Sequence, residues 1–237
     1  MNDQKPSRIK AFFRRLFKTI FYGFILSLIY LLLCKWMMPP ITITQFSNWI
    51  SGYGLKRDYV DWDDISANVK LAAIASEDQR FATHNGFDWQ SISKSLDNNS
   101  KNGRAKGAAA STISQQAAKN VFLFQGWSYI RKPFEAVYTT LIELIWGKQR
   151  ILEVYLNTIE MGKGIFGIEA AAQQYFHKHA KDLSRNEAAM IIASLPNPKA
   201  YTVVPVSKWV AWRSKGILRQ MNNVQSDKNV HDLIYKK

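Results

Sequence analysis

Apolar residues are organised in two different ways along this chain of 237 residues. Residues 19–34 carry no charge and are rich in Ile, Leu, Phe and Tyr, and the apolar run continues to Met38 if the Lys35 ammonium lies at the membrane interface. A run of about 20 such residues is long enough to span a bilayer. The pattern therefore predicts one transmembrane helix over residues 19–38, stopped by Pro39 and Pro40.

Beyond residue 60 the apolar residues recur at helical spacing, which predicts a mostly α domain over residues 60–221. Residues 39–59 are expected to be a membrane-proximal linker, and residues 222–237 a polar C-terminal tail. The best strand signal is short and runs from Tyr201 to Val206. The predicted helices include segments capped by Asp88, by Ser111 and by Ser184 with Glu187, one with Pro133 in its first turn, and one over 166–176.

The N-terminal 18 residues are strongly basic, with six Lys and Arg against Asp3 alone. The positive-inside rule therefore places the N-terminus in the cytoplasm and residues 39–237 outside the inner membrane. A cleaved signal peptide would need small residues at its cleavage site, and a lipoprotein signal would need one before Cys34, where Leu33 stands. Arg14 and Arg15 are similar to a twin-arginine export signal, but no cleavage site follows. A retained single-pass anchor is the prediction.

Charge and composition limit the kinds of ligand and metal site that the protein can have. The net charge is +14, of which about +9 lies outside residues 1–18, so anionic lipid headgroups, phosphates or polyanions are expected to be attracted. Cys34 is the only cysteine, which excludes an intrachain disulfide and a cysteine-based metal site. His177 and His179 would point in different directions on a helix, so a zinc site is not predicted either.

Glu77 and Asp78 end an apolar helix and are followed by His84 and an Asn-Gly turn. A carboxylate beside apolar surface is suited to moving protons near neutral pH, although a lone Glu-Asp pair at a helix end is more often simply solvated. On the helix after Ser111, Gln115 and Lys119 share one face, and Gln116 and Asn120 share another. Amides and an ammonium in this arrangement can hold sugar hydroxyls and phosphate oxygens, and a solvated surface is the alternative.

A third polar group is Arg131, Lys132 and Glu135. If a helix begins near Lys132, the two cations and the free backbone N–H groups at its start would attract a phosphate or diphosphate. A surface ion pair between Arg131 and Glu135 is the simpler interpretation. Just before this group, residues 121–130 are unusually apolar, which is typical either of core or of an element that enters the outer leaflet.

In order and spacing, these blocks resemble the family 51 peptidoglycan glycosyltransferases. The resemblance rests on Glu-Asp-x-x-Phe-x-x-His-x-Gly from Glu77, Ser-Thr-Ile-Ser-Gln-Gln-x-x-Lys-Asn from Ser111, Arg-Lys-x-x-Glu from Arg131, and Ile-Leu-Glu-x-Tyr-Leu-Asn from Ile151. It covers roughly residues 60–200 and the anchor, and the length is that of the monofunctional branch. It implies a lysozyme-like helical fold and the polymerisation of lipid II into glycan strands, with inversion and release of undecaprenyl diphosphate.

The resemblance also implies roles for residues. Glu77 matches the general base, Glu135 matches a second carboxylate that positions the diphosphate or a divalent cation, and Lys119, Arg131 and Lys132 match positions that neutralise the diphosphate. Further positions that line or shape the cleft are matched by Asp78, Phe81, His84, Gly86, Thr112, Gln115, Gln116 and Asn120. The sequence requires no cofactor. Whether a Mg²⁺ or Mn²⁺ ion is bridged by the diphosphate is left open. The implied partners are lipid II, the growing lipid-linked strand and the bacterial membrane, with cell-wall synthesis or division proteins left open and no nucleic acid.

One departure from the family pattern stands just before Ser111, where Ala109 occupies the position of a usual glycine. Ser91 and Lys94 form a Ser-x-x-Lys like that of penicillin-binding transpeptidases, but Lys-Thr-Gly is absent and no second domain fits. Two other functions compete with the polymerase. A glycan-cleaving enzyme on the same scaffold would need an acid but no cations for a diphosphate, and a tethered binder of phosphate-rich polymers would need no catalytic pair.

Overall fold

The computed structural model describes residues 8–93, 111–124, 126 and 128–236, and the chain divides into two units, Met1–Met38 and Pro39–Lys237. Within residues 8–38, the first unit contains one helix, α1, over Arg8–Leu33. This helix is about 39 Å long and is apolar enough to cross a membrane, so it fits a single-pass anchor. It ends earlier than the predicted Met38, although turns continue to Met37, whose N–H bonds to Leu33 O at 3.0 Å.

The second unit is mostly helical, as the sequence predicted. Its helices are α2 Ile43–Ile50, α3 Ala67–Glu77, α4 over 89–93 in its described part, α5 Ile113–Phe122, α6 Ser128–Ile145, α7 Lys148–Thr158, α8 Ile168–Phe176, α9 Arg185–Ala193, α10 Lys208–Gln225 and α11 Lys228–Tyr235. Single 3₁₀ turns lie at Trp62–Asp64 and Ala180–Asp182.

Helix α3 is the central element. Its residues from Val69 to Ala75 are all buried, and α9 and α10 pack against it. Small alanine side chains at 72, 73 and 75 let these neighbours approach closely. A second layer forms where α5 packs against α6 and α7. The end of α3, and with it Glu77, therefore has a fixed position beside α5.

The strands form a small three-stranded sheet in the order β1-β3-β2, from Lys56–Arg57, Ile165–Phe166 and Glu160–Gly162. β1 pairs parallel to β3, and β2 pairs antiparallel to it. The strand expected from Tyr201 to Val206 is wrong, because that segment is a turn in which Ser207 N bonds to Thr202 O at 3.0 Å. Pro205 has no N–H to contribute to a ladder.

Both ends of the predicted domain differ from expectation. The expected linker contains α2, whose Thr42 and Gln45 form a capping box and which packs against α5. The expected polar tail contains the end of α10 and all of α11, in which Val230 and Ile234 are buried. These two residues are four apart and lie on one helical face, so α11 packs against α3 and α7 rather than extending into solvent.

Helix starts were predicted with mixed success. Asp88 caps α4 through Ser91 N, and the Ser184 and Glu187 capping box opens α9, as predicted. The cap of α5 is Thr112 rather than Ser111. α8 starts at Ile168, because Phe166 belongs to β3 and Gly167 turns the chain at φ +84°. A Cβ at Gly167 would lie 2.5 Å from the carbonyl oxygen of Asn157, so only glycine fits this turn.

Candidate active site

Glu77 is the last residue of α3, and both of its carboxylate oxygens are held. The Ser76 hydroxyl donates to Oε1 at 3.0 Å, and Nε2 of Gln116 donates to Oε2 at 3.1 Å. The side chain is half-buried and lines a cleft of about 410 Å³. The cleft is also lined by Ser76, Asp78, Gln79, Arg80, Asp88, Ser91 and Thr112. A fixed carboxylate that is still open to a cleft is suited to accept a proton from a bound hydroxyl.

Asp78 lies next to Glu77 but has different partners. Nε2 of His84 is 3.0 Å from each of its oxygens, and the backbone N–H of Ile113 donates to Oδ2 at 3.0 Å. Asp78 and His84 are both buried. Asp78 thus joins the end of α3 to the start of α5 and fixes the Glu77 backbone. Phe81 is fully buried in the core, with the Lys148 ammonium 4.5 Å from its ring centre.

Thr112 connects the turn at Gly86 to α5. Its hydroxyl donates to Gly86 O at 2.6 Å and accepts from Gln115 N, while Gln115 Oε1 accepts from Thr112 N. Gly86 has φ +87°, and a Cβ there would lie 2.8 Å from Cγ2 of Thr139. Thr112, Gln115 and Gly86 therefore shape the site through the backbone. The Oε1 atom of Gln115 is used in the cap of α5.

A second cleft, of about 390 Å³, is lined by Gln116, Lys119 and Asn120 of α5, among other residues. Nε2 of Gln116 also donates to Glu77, so this side chain connects the second cleft to the carboxylate of the first. Burial and the nearby Arg131 lower the pKa of the Lys119 ammonium, and Glu135 partly opposes that effect. Within the described part of the chain, Lys119 has no hydrogen bond or ion pair, so its charge is available to an anion.

The polar group on α6 is arranged around one buried carboxylate. Glu135 is only 2% exposed, and its Oε2 pairs with Arg131 while its Oε1 accepts from the Lys132 ammonium at 2.6 Å. The carboxylate is thus buried and shared by two cations, with the Lys132 side chain 51% exposed, rather than part of the surface pair that the sequence also allowed. The expectation that a helix begins near Lys132 is wrong, because α6 starts at Ser128 and Pro133 lies inside it. The free N–H groups of the helix start therefore lie before Arg131, and the cations carry the charge themselves.

Several residues of the second cleft were missed from the sequence. They come from α2, from β2 and from the segment after α9: Thr44, Ser47, Asn48, Ser51, Tyr53, Ile159, Glu160, Leu195, Pro196, Pro198 and Lys199. Burial raises the pKa of Glu160, while the Gly164 N–H and the Lys199 ammonium oppose the shift. No local pattern marks these positions, because they meet only when α2 folds onto α5. Arg213 was missed for the same reason: its Nη2 is 3.4 Å from the Ser76 hydroxyl oxygen.

Some expectations fall outside the described residues. Ala109 and Lys94 are among them, and so is Trp127 in the apolar segment. The described members of that segment include Phe124, Tyr129 and Ile130, which are all exposed. Among the residues that the structure describes, no group of three or more His, Cys, Asp and Glu side chains could hold a metal ion.

Comparison with known proteins gives a consistent result. A family model described as Transglycosylase matches residues 44–222. Relatives called biosynthetic peptidoglycan transglycosylase include one from Pseudomonas syringae pv. tomato, 42% identical over 95% of this chain and 97% of the relative. The relative from Pseudomonas putida is 43% identical over 91% and 93% of the two chains. That from Pseudomonas aeruginosa is 41% identical over 92% and 96%.

By class, the protein is a glycosyltransferase. The match spans most of the second unit and the relatives align over nearly their whole lengths, so the chain belongs to the transglycosylase family. The resemblance to the family 51 peptidoglycan glycosyltransferases is thereby confirmed, together with the helical, lysozyme-like class of its domain.

Proposed function

We propose that this protein polymerises lipid II into peptidoglycan glycan strands. The 4-hydroxyl oxygen of the acceptor's N-acetylglucosamine attacks the anomeric carbon of the donor chain's lipid-linked sugar. The bond from that carbon to the diphosphate breaks, and its electron pair leaves with undecaprenyl diphosphate. The configuration at the carbon inverts. The biosynthetic peptidoglycan transglycosylases among the relatives support this substrate class.

Glu77 is the general base in this proposal. The observation that carries the assignment is its pair of hydrogen bonds, to Ser76 and to Gln116, which fix the carboxylate while its cleft stays open. A base held by other elements needs little reorganisation when the acceptor hydroxyl arrives. Asp78 and His84 act as positioning residues, because they hold the junction of α3 and α5 and donate no group to the substrate.

The leaving diphosphate is assigned to the cations of α5 and α6. Lys119 lacks a hydrogen-bond or ion-pair partner among the described residues and lines the second cleft. Burial lowers the pKa of its ammonium, Arg131 lowers it further, and Glu135 opposes the shift. Charge that develops on the leaving group would be stabilised there by Lys119, Arg131 and Lys132. Glu135 keeps the two α6 cations in place and, through them, would position the diphosphate, the role that the resemblance implies for the second carboxylate.

The residues do not fit a divalent cation bound directly by Glu135. Both of its oxygens already accept from cationic side chains. A Mg²⁺ or Mn²⁺ ion bridged by the diphosphate would therefore need its remaining ligands from the substrate and water. In the proposed reaction, the cationic side chains of the protein stabilise the leaving diphosphate.

We place the protein in the cytoplasmic membrane, with its basic N-terminus inside and the catalytic unit outside. The apolar helix α1 supports the anchor. The exposed Phe124, Tyr129 and Ile130 suit contact with the outer leaflet, where a lipid-linked substrate would enter. Cell-wall synthesis or division proteins are candidate partners, and no feature calls for a nucleic acid.

The test is polymerisation by the purified full-length protein in detergent, supplied with labelled lipid II. Wild-type protein should form long strands that lysozyme digests, and Glu77→Gln should abolish them while the circular dichroism spectrum is retained. Glu187→Gln is the matched control, because glutamine also completes a capping box, so its activity should be unchanged. Normal synthesis by Glu77→Gln would remove Glu77 from the mechanism. Cleavage of preformed strands without use of lipid II would instead identify a glycan-cleaving enzyme, and phosphate-dependent association alone would identify a binder.

A further inference from the structure

An aromatic surface lies on α10 and on the turn before it, outside both clefts. It consists of Tyr201, Trp209 and Trp212, here called the aromatic shelf. The rings of Tyr201 and Trp209 are stacked with centres 4.8 Å apart and planes 17° apart, and Trp212 lies 5.4 Å from Trp209 at 56°. Trp212 is 66% exposed, and Val204 and Val206 beside it in sequence are 53% exposed. So much exposed apolar surface in one short stretch is unusual.

The shelf is rigid. Nε1 of Trp209 donates to the carbonyl oxygen of Ala193 at 3.0 Å, which ties the ring to the end of α9. The backbone N–H of Tyr201 donates to Asn197 O at 2.8 Å. The turn that follows is closed by the hydrogen bond from Ser207 N to Thr202 O and by that from the Thr202 hydroxyl to Pro205 O at 2.8 Å. A flat ligand would therefore meet a surface that loses little conformational entropy on binding.

The shelf is connected to residues of both clefts. Arg213 follows Trp212 directly and lies one helical turn, about 6 Å along the axis, beyond Trp209. Its guanidinium donates to the Ser76 hydroxyl, which in turn donates to Glu77 in the first cleft. Pro198 and Lys199, just before Tyr201 in sequence, line the second cleft.

Charge on α10 complements the aromatic surface. Lys208 and Lys215 lie four residues before and three residues after Trp212, so all three share one helical face. Both lysines are exposed, and neither has a hydrogen bond or ion pair with any residue in the described part of the chain. Sugar rings present apolar faces that stack on aromatic rings, and the peptides on a peptidoglycan strand carry carboxylates. A tryptophan between two free ammonium groups matches both features.

We propose that the aromatic shelf, with Lys208 and Lys215, binds polymerised sugars of the glycan strand at a distance from the bond being formed. This inference rests on the proposed function for its ligand. Such a site would keep a strand on the enzyme between additions, and so would lengthen products without taking part in the chemistry. Trp212 is the central contact, since it is the most exposed ring and lies between the cations.

Binding is tested with the full-length protein in detergent and lipid-free strands of alternating N-acetylglucosamine and N-acetylmuramic acid that carry their peptides. By calorimetry, Trp212→Ala should weaken binding of long strands about three- to tenfold, Trp212→Phe should retain most of it, and Tyr235→Ala, an exposed aromatic on α11, should change nothing. A single disaccharide should bind all variants equally weakly. Equal binding of long strands by wild type and Trp212→Ala would overturn the proposal.

Product length gives the second readout. With lipid II, Trp212→Ala should make shorter strands, and an unchanged strand length would overturn the proposal. In reconstituted vesicles that contain brominated lipid, quenching of Trp212 fluorescence, obtained as the difference from Trp212→Phe, would place the ring in the bilayer and also overturn it. Because strand binding needs no lipid II, Trp212-dependent binding by a protein that fails to polymerise would support the shelf while rejecting the proposed function.

Discussion

Gln116 donates a hydrogen bond from Nε2 to Oε2 of Glu77 at 3.1 Å, across 39 positions of sequence. Its Oε1 accepts from the hydroxyl of the buried Tyr155 at 3.3 Å, so the amide cannot turn without losing one of the two contacts. The same side chain lines the cleft that contains Lys119. One residue of α5 therefore links the candidate base to the candidate diphosphate site.

Replacing Gln116 by alanine should lower kcat by about 10- to 100-fold, the range for losing a hydrogen bond to a charged group. Tyr155→Phe should have a smaller effect, because it removes only the contact that orients the amide. Both are measured as initial rates at saturating lipid II, with folding checked by circular dichroism. An unchanged kcat for Gln116→Ala would mean that the contact does not operate during catalysis.

Asp78→Asn should destabilise the fold more than it changes substrate affinity. The buried His84 ring and the Ile113 N–H both form hydrogen bonds with this carboxylate, and a hydrogen bond to a charged group contributes about 1.5–3 kcal/mol. The expected result is a clearly lower thermal midpoint in detergent. Asp232→Asn, whose side chain on α11 is partly exposed and pairs with Lys236, is the control and should leave the midpoint unchanged. Equal midpoints for the two variants would contradict the role assigned to Asp78.

The lowered pKa of Lys119 leads us to expect that the affinity for diphosphate depends on pH. Burial and Arg131 lower the pKa of its ammonium, so the free protein loses this charge at a lower pH than an exposed lysine would. Affinity for inorganic diphosphate should therefore fall as pH rises into the alkaline range. Lys119→Arg keeps its charge and should flatten that fall, while Lys119→Met should bind weakly at every pH. The measurement is calorimetric titration with diphosphate over pH 7–10. Identical profiles of affinity against pH for wild type and Lys119→Met would exclude Lys119 from the anion site.

The lowered pKa of Lys70 leads us to expect that the stability of the fold changes with pH. This lysine of α3 is buried with its ammonium 3.9 Å from the Trp62 ring centre, and burial lowers its pKa from 10.5 to about 8, with Asp63 and Glu153 opposing. Below pH 8 the cost of the buried charge is fully present. Between about 8 and 10.5 the unfolded chain binds more protons than the folded one, so the contribution of Lys70 to stability rises with pH.

Lys70→Met should remove that rise and should increase stability at pH 7 by about 1–2 kcal/mol, a figure reduced for solvent screening. Thermal melts of wild type and variant at pH 7 and pH 10 provide the measurement. Lys228→Met, at the start of α11, serves as a control for loss of a lysine. A gap between wild type and Lys70→Met that does not narrow from pH 7 to pH 10 would contradict the assignment.

Much of this protein is determined locally and could be inferred from sequence. The anchor follows from an uncharged run of sufficient length, and the helices of the second unit follow from apolar spacing. The Asp88 and Ser184 caps were predicted because a cap depends on residues only three positions apart. The ordered blocks from Glu77 to Asn157 were enough to predict the family, which the comparisons confirm.

Tertiary structure decided which side chains meet. In the folded chain Gln115 belongs to the capping box of α5, and Gln116 donates a hydrogen bond to Glu77. Glu135 is buried and is paired with two cations. The segments that were predicted to be a linker and a polar tail contain helices α2 and α11. Sequence periodicity reports the neighbours of a residue along one element, because a helix repeats every 3.6 residues. Contacts between elements depend on how α3, α5 and α10 pack, and the sequence of each helix alone does not contain that arrangement.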